Sequence, residues 1–366
     1  MSRRLAPALL VALLVVAAAS AQSSEVSGTY VAVRTTAGGQ DWLELGTFPP
    51  SSVRSLTPRP VPGELRSEIR GVFSPDGSKL VFERRTPRMS KLLVLDLVTG
   101  ALRTAAQYAG SRSWQYAWSQ DSRGLLYAIW TQEPNVVRRL AVDGSGETVI
   151  SQFRNTGGGL TWPEGTSPDG WTALVVESHG EPRVFHHSGP DNLYAVRSGA
   201  KVKLATANSV SDAAWSPDGT LIAYTADCYS ICRIEVVRPD GTGRRPLRRF
   251  GTSASIYEGF DELSFAWGGH ASEVIYGRGR TLYGIDAESG TQRRIRTFPC
   301  PQRSCTPRTI IRAVSHERDM AIIAVEAVTF DGIQASRLYL VSLLTGSITA
   351  ADELRHAADI SFSNAR

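Results

Sequence analysis

A short phrase recurs along the chain and constrains its fold more than any other feature. Its anchor residues are Phe73, Trp118, Thr166, Trp215, Trp267, Val314 and Phe362. The first four copies read FSPDG, WSQDS, TSPDG and WSPDG, and the last three are weaker. Successive anchors lie 45 to 52 residues apart, a period expected for four-stranded units arranged radially around an axis. The repeat therefore predicts an all-β propeller of antiparallel blades.

Within each unit, the sequence predicts an inner strand that ends at the anchor, a tight turn, and three further strands. The fourth unit shows this most clearly, with strands predicted over 211–216, 221–227, 233–239 and 244–249. In the SPDG turn, proline presets φ, aspartate hydrogen-bonds nearby backbone and glycine accepts a positive φ. Aspartates that recur at this position are therefore interpreted as parts of the scaffold: Asp76, Asp121, Asp169 and Asp218.

The two ends of the chain are predicted to complete one blade. Residues 357–363 resemble an inner strand, but the three strands that should follow it are missing there. Residues 29–35, 41–47 and 52–57 resemble those three strands without an inner strand before them. Pairing the two ends satisfies the hydrogen bonds of an otherwise open sheet edge. Seven blades are thus predicted, a closing blade from 26–57 and 355–366 and blades one to six over 68–106, 112–151, 160–206, 210–249, 260–297 and 309–351.

Residues 1–21 are interpreted as a secretory signal peptide. Two arginines precede an apolar run over 5–18, and the small residues at 19–21 suit signal peptidase. A retained membrane anchor is the alternative, which the shortness of the run disfavours. We therefore expect a periplasmic or secreted protein in which 22–366 form one propeller domain, as a monomer without a transmembrane segment.

Charge and short motifs argue against several classes of function. The formal net charge of +5 over 366 residues gives no basis for nucleic-acid binding. No Gly-x-x-x-Gly spacing occurs, so the nucleophile elbow of a serine hydrolase is absent from the sequence. Phosphate-binding, dinucleotide-binding and EF-hand motifs are also absent. No catalytic residue, metal ligand or cofactor is therefore assigned.

Four cysteines occur as two closely spaced pairs. Cys228 and Cys232 have the spacing C-x3-C, and Cys300 and Cys305 have the spacing C-x4-C. An even number of cysteines in an exported chain indicates disulfides, and the two local pairings are favoured because each pair brackets a loop. A zinc site is the alternative, but the chain lacks both C-x-x-C and a histidine pair at matching spacing.

The segments FSPDGSKLVFERR and WSPDGTLIAYTAD resemble the repeats of TolB-like propellers, a WD-repeat-like family of exported bacterial proteins. The resemblance covers nearly all of the chain after the signal peptide. It implies the fold but not one function, because similar repeats occur in periplasmic binding scaffolds, in propellers attached to peptidases and in some sugar lyases. TolB itself differs in having a separate α/β domain and six blades, whereas residues 22–66 are strand-like here.

One face of the predicted propeller carries the connections from second to third strands and from each blade to the next. Such loops vary while the sheets hold them in place, so they commonly bind ligands. We call this the loop face, and we expect it to carry both cysteine pairs and the candidate binding residues Arg84, Arg85, Arg88, Trp130, His179, Arg278, Arg280 and Phe330. The arginines suit a carboxylate-bearing ligand, with solvated surface charge as the alternative.

A long connection in blade three contains His179, His186 and His187. Adjacent side chains of an extended chain point to opposite sides, so at most one of the last two can join His179 in a metal site. A solvated polar loop is the alternative interpretation.

Three functional hypotheses follow from these observations. The first hypothesis is an exported, non-catalytic scaffold that binds a protein, peptide or glycan on the loop face. The alternative is a metal-assisted propeller lyase or hydrolase that acts on an acidic carbohydrate with these histidines as ligands. A purely structural envelope component is a third interpretation.

Overall fold

The computed structural model describes the strands of the repeats and most of the turns between them. The described residues are 28–35, 40–48, 53–58, 66–110, 114–129, 135–153, 161–179, 190–227, 232–250, 264–268, 272–301, 306–315, 319–329, 332–351 and 360–363. Within these ranges, no helix is long and apolar enough to span a membrane. The predicted signal peptide lies outside them and stays a prediction.

All regular structure in these ranges is β-strand. In chain order the strands are β1 (Gly28–Thr35), β2 (Asp41–Phe48), β3 (Val53–Ser55), β4 (Ser67–Phe73), β5 (Lys79–Arg85), β6 (Met89–Asp96), β7 (Leu102–Ala109), β8 (Trp114–Trp118), β9 (Gly124–Ile129), β10 (Asn135–Ala141), β11 (Glu147–Phe153), β12 (Thr161–Thr166), β13 (Ala173–Ser178), β14 (Asp191–Arg197), β15 (Ala200–Ala207), β16 (Val210–Trp215), β17 (Ile222–Ala226), β18 (Arg233–Val237), β19 (Arg245–Arg249), β20 (Phe265–Trp267), β21 (Glu273–Arg278), β22 (Thr281–Asp286), β23 (Gln292–Thr297), β24 (Thr306–Val314), β25 (Met320–Thr329), β26 (Gly332–Ser342), β27 (Ile348–Ala350) and β28 (Ile360–Ser363).

These strands form seven four-stranded antiparallel sheets, which confirms the predicted propeller. Blades one to six contain β4–β7, β8–β11, β12–β15, β16–β19, β20–β23 and β24–β27. The closing blade has the order β28-β1-β2-β3, so the two ends of the chain pair as predicted. Thr29 lies opposite Ser363 and Ala32 lies opposite Ile360 in this pairing.

The outermost strand of the closing blade is shorter than predicted. A strand over 52–57 was expected, whereas β3 ends at Ser55. The Thr57 hydroxyl accepts a hydrogen bond from the N–H of Leu43 at 3.0 Å. In a regular ladder this N–H would donate to the carbonyl of Leu56, the residue after Ser55. The N–H of Leu56 still donates to the carbonyl of Leu43 at 2.9 Å, so the side chain replaces only one of the two backbone hydrogen bonds of this pair.

The SPDG turns are built as the sequence predicts. In blade one, Ser74 donates its hydroxyl to Asp76 Oδ1 at 2.6 Å, and the same oxygen accepts the N–H of Ser78 at 3.0 Å. In blade three, hydrogen bonds from the Ser167 hydroxyl and the Trp171 N–H lower the pKa of Asp169. These contacts support the interpretation of the recurring aspartates as scaffold residues.

Neighbouring turns also pack against one another around the ring. A Cβ atom at Gly170 would lie 3.1 Å from Cγ of Asp121, and one at Gly219 would lie 3.2 Å from Cδ of Pro168. Both glycines have a positive φ, 75° and 74°. Two reasons therefore favour glycine at each position: the positive φ of the turn and the close approach of the preceding blade.

Anchor tryptophans link successive inner strands. Nε1 of Trp118 donates to the carbonyl of Val72 at 2.9 Å, and Nε1 of Trp267 donates to the carbonyl of Ala214 at 2.9 Å. In both pairs the acceptor directly precedes the anchor of the previous blade. The anchors thus bury an aromatic ring between blades and satisfy its polar atom at the same time.

Arginines on outer strands form a second set of contacts between blades. Arg103, Arg245 and Arg293 each donate Nη2 to the carbonyl that directly follows the third strand of the next blade. For Arg293, this acceptor is Leu343 at 2.8 Å, and the same guanidinium holds the buried Glu273 through two contacts of 2.5 and 2.7 Å.

We expect R293A to lower the free energy of unfolding by about 3 kcal/mol, because it leaves the buried Glu273 carboxylate unpaired. Urea denaturation followed by intrinsic fluorescence measures this change. The neighbouring exposed Arg294 supplies the matched control, and R294A should stay within about 0.5 kcal/mol of the wild type. Equal stability of the two variants would contradict this stabilising role of Arg293.

Candidate functional site

The described candidate residues all lie on the loop face. Arg84 and Arg85 end β5, and Arg88 lies in the hairpin that follows. His179 follows β13, and the β21–β22 hairpin carries Arg278 and Arg280. Because strands alternate in direction, these connections share one side of the propeller. The remaining candidates, Trp130, His186, His187 and Phe330, lie outside the described residues.

Two of the candidate arginines are held by buried glutamates. Arg84 contacts Oε1 of Glu68 through Nε at 2.6 Å and through Nη2 at 2.5 Å. Arg85 contacts Glu83 through Nε at 2.6 Å and Nη2 at 3.0 Å. Burial raises the pKa of Glu83, and the neighbouring Arg85 opposes that rise. These arginines therefore neutralise interior carboxylates, which gives them a structural role beside the predicted ligand-binding role.

The other three candidate arginines are exposed. Arg88, Arg278 and Arg280 have no ion-pair partner within the described ranges. The turn between the last two has Gly279 at a φ of 55°. Tyr276 lies on the strand before this turn, and burial raises its pKa although nearby arginines, including Arg278, oppose the rise. The hairpin thus presents two charged side chains on a firmly packed base.

His179 lies in a polar cluster at the edge of blade three. Its Nε2 atom is 2.6 Å from Nδ2 of Asn192 and 3.2 Å from Oε2 of Glu177. Asn192 also accepts hydrogen bonds from Lys203 at 2.9 Å and Thr206 at 2.8 Å. No group of three metal-ligating side chains occurs within the part of the chain that the structure describes. A metal site here would need His186 or His187, which lie outside the described residues.

The cysteine pairs also connect to this face. Cys232 is disulfide-bonded and precedes β18, whereas Cys300 follows β23. Cys228 and Cys305 lie outside the described residues. The two predicted local pairings therefore stay predictions.

A second polar feature was not predicted from the sequence. Among the strand pairs that the structure describes, four inner strands each contain one residue more than the strand beside them, and each of these β-bulges includes a charged residue. We call the four residues the inner collar: Arg70 in β4, Glu164 in β12, Asp212 in β16 and Arg312 in β24. Inner strands border the propeller axis, and a bulge changes the direction of a side chain. The collar thus places charges of both signs around the axis.

The collar residues of blades one and six have protein partners. Nη1 of Arg70 donates to Oε1 of Gln115 in blade two at 2.9 Å. Arg70 has a φ of 55°, and its carbonyl accepts the hydroxyl of Tyr116. Arg312 donates to Oε1 of the buried Glu326 at 2.7 Å. These contacts hold the bulges and their charges in one arrangement.

Glu164, the collar residue of blade three, has a raised pKa. Its carboxylate accepts the indole N–H of Trp162 and the backbone N–H of Ala213. Burial and then the negative charge of Asp212 raise the pKa of Glu164 to about 8. The bulge lies next to Gly165. By the pattern of Trp118 and Trp267, the carbonyl of Gly165 would accept the indole N–H of the next anchor, Trp215. This N–H is instead buried without a partner among the described residues. Blade three therefore lacks the anchor hydrogen bond to the next blade at the bulge that places the Glu164 carboxyl group at the collar.

The pKa of Glu164 predicts a pH dependence of stability. The pKa of Glu164 in the folded protein lies above the ordinary 4.5, so the folded state binds this proton more tightly than the unfolded state does. The resulting contribution of Glu164 to the free energy of unfolding is complete below pH 4.5 and is lost as the pH rises toward 8. We expect wild-type stability to fall between about pH 5 and about pH 8.5, and E164Q to lose much of this dependence. A shift of one pKa unit corresponds to about 1.4 kcal/mol in the free energy of unfolding. The effect of Glu164 is smaller than this because the side chain is only half-buried and water screens its charge.

Urea denaturation across this pH range tests the prediction. E288Q, at an exposed glutamate, is the matched control and should behave as the wild type. The same pH dependence in E164Q as in wild type would contradict the assignment to Glu164.

Comparisons with known proteins connect the chain to solved propellers. No family model matches it, and no curated protein matches it. An oligogalacturonate lyase in complex with manganese superposes with a TM-score of 0.59 at 17% identity, covering 87% of this chain and 83% of that chain. The periplasmic gluconolactonase PpgL of Pseudomonas aeruginosa gives 0.56 at 14% identity, covering 93% and 100%.

TolB of Acinetobacter baumannii is also similar, with a TM-score of 0.49 and 14% identity over 72% of this chain and 62% of that chain. At these identities the likeness concerns the fold. The chain is a seven-bladed β-propeller whose solved structural neighbours include both enzymes and TolB.

Proposed function

We propose that this protein is an exported, TolB-like propeller that acts as a non-catalytic scaffold and binds an acidic peptide or glycan chain on its loop face. The observation that carries the proposal is the exposure of Arg88, Arg278 and Arg280 on two hairpins of that face. A guanidinium stays charged at any physiological pH and matches a carboxylate through two parallel hydrogen bonds. The seven packed blades fix the hairpins, so little conformational freedom of the backbone is lost on binding.

The arginines of the loop face fall into two groups, those paired with buried carboxylates and those exposed without an ion-pair partner among the described residues. Arg84 and Arg85 face buried carboxylates of their own blade. The exposed three have no such partner among the described residues, and a ligand can therefore use them without breaking an interior ion pair. This distinction narrows the predicted binding residues to the hairpins of blades one and five.

The positions of these hairpins favour a polymer. Blades one and five are not neighbours in the ring, because three blades separate them on one side and two on the other. A ligand that contacts both hairpins must therefore extend across the loop face. A small molecule would contact one hairpin alone.

We expect hexagalacturonate or hexaglutamate to bind the wild-type protein, and R278A/R280A to weaken binding about tenfold or more, because two charge-assisted contacts are lost. Isothermal titration at low salt measures the affinity, which should fall as salt screens the charges. Hexagalacturonate is a reasoned probe because one structural neighbour is named for its action on oligogalacturonate.

R294A/R296A is the matched control, since it removes two exposed arginines from the outer strand of the same blade. It should leave binding unchanged. Failure of both acidic probes to bind, or equal effects of the two double variants, would overturn the proposal.

A metal-assisted lyase or hydrolase acting on an acidic carbohydrate is the second candidate, favoured by the approach of Glu177 to His179 at 3.2 Å. It predicts that freshly purified protein contains stoichiometric metal and that H179A loses it. Elemental analysis of both proteins separates the two candidates, because the scaffold requires no metal.

A further inference from the structure

The turn of blade three exposes a large aromatic side chain. Trp171 directly follows Gly170 of the SPDG turn and is 59% exposed. The equivalent position holds Ser78, Arg123 or Thr220 in other blades, so the turn itself does not require tryptophan. These turns lie on the side of the propeller opposite the loop face, which we call the turn face.

Blade two fixes one side of the Trp171 ring. The guanidinium of Arg139, from β10, lies over the ring at 4.7 Å from its centroid. Nη2 of Arg139 also contacts Oδ2 of Asp121 at 3.3 Å. The cation–π contact and the ion pair orient the indole, and because most of the side chain is exposed, its other side faces solvent.

An acidic and a basic side chain lie close to the indole ring of Trp171. Asp169 Oδ1 accepts the backbone N–H of Trp171 at 3.0 Å, and Asp169 Oδ2 lies 3.6 Å from Nη1 of Arg197. Both of these side chains are exposed. Together with the pair of Arg139 and Asp121, they provide equal numbers of positive and negative charges and both donors and acceptors.

We propose that Trp171, Asp169 and Arg197 form a binding site for a neutral hexopyranose unit of a glycan on the turn face. The C–H groups on one side of a pyranose ring are weakly positive and suit the electron-rich face of an indole. Its neighbouring hydroxyl groups both donate and accept hydrogen bonds, which matches a carboxylate beside a guanidinium. The balanced charge of the surroundings favours a neutral sugar over an acidic one.

This site is independent of the proposed function. It uses the opposite side of the propeller and no residue of the loop face. Its failure would leave the acidic ligand of the loop face unaffected, and the reverse also holds.

Isothermal titration of residues 22–366 with cellohexaose and with hexa-N-acetylchitohexaose, both of them neutral, tests the inference. We expect at least one to bind, W171A to weaken that binding about tenfold or more, and W171F to retain it within about threefold, since an aromatic face remains. R197Q should weaken binding without changing thermal stability, because its ion pair is exposed.

V98A is the matched control, because Val98 is an exposed apolar residue in a turn of blade one on the same face. V98A and R278A/R280A should both bind as the wild type does. Absence of binding to both oligosaccharides, or unchanged binding by W171A, would overturn the inference. R197Q keeps the test valid should W171A be unstable.

Discussion

The pairing of β28 with β1 is the contact on which the rest of the structure depends. Every blade buries its two faces against its neighbours, and this packing is continuous only when the ring is closed. Without the pairing, the closing blade would lack its inner strand and would expose a row of unpaired backbone groups toward the axis. Closure also fixes the positions of the hairpins on the loop face and of the turns on the other side.

Arginine has two different roles in this ring. On outer strands and at the edges of blades it pairs with buried carboxylates or with carbonyl groups of the next blade, as Arg293 does with Glu273 and Leu343. A buried carboxylate is costly without a partner, so these arginines are fixed by the scaffold. On the hairpins of blades one and five, the arginines are exposed and have no ion-pair partner among the described residues, which is the basis of the proposed ligand-binding role. A plain count of basic residues does not reveal this division, because it depends on which carboxylates are buried.

The repeat allowed most of the fold to be predicted. Anchor spacing predicted seven blades, and the strand-like segments at both ends predicted the closing blade. The bulges were missed because an alternating pattern shows that a strand exists but does not show which residue is extra. A signal was nonetheless present, since Arg70 and Asp212 stand three residues before their anchors and Glu164 and Arg312 stand two before theirs. Charged residues so deep in an inner strand indicate an irregular backbone.

The candidate site was predicted less completely than the fold. Topology alone placed the arginines and His179 on the loop face, and the structure agrees with that placement. The sequence did not distinguish Arg84 and Arg85 from Arg88, because their partners, Glu68 and Glu83, are identified only by burial. Trp171 was overlooked because it adjoins a turn motif that the scaffold explains.

The close contact between successive turns has a consequence for how the two faces can change during evolution. Gly170 and Gly219 each touch the turn of the preceding blade, so an inserted residue in one turn would displace its neighbour. On the loop face, by contrast, a Cβ atom at Gly279 would meet no atom within 4 Å, so this hairpin can change without displacing a neighbouring blade. The turn face can diversify only by exchanging single side chains, and the position after the glycine is where such an exchange disturbs the ring least.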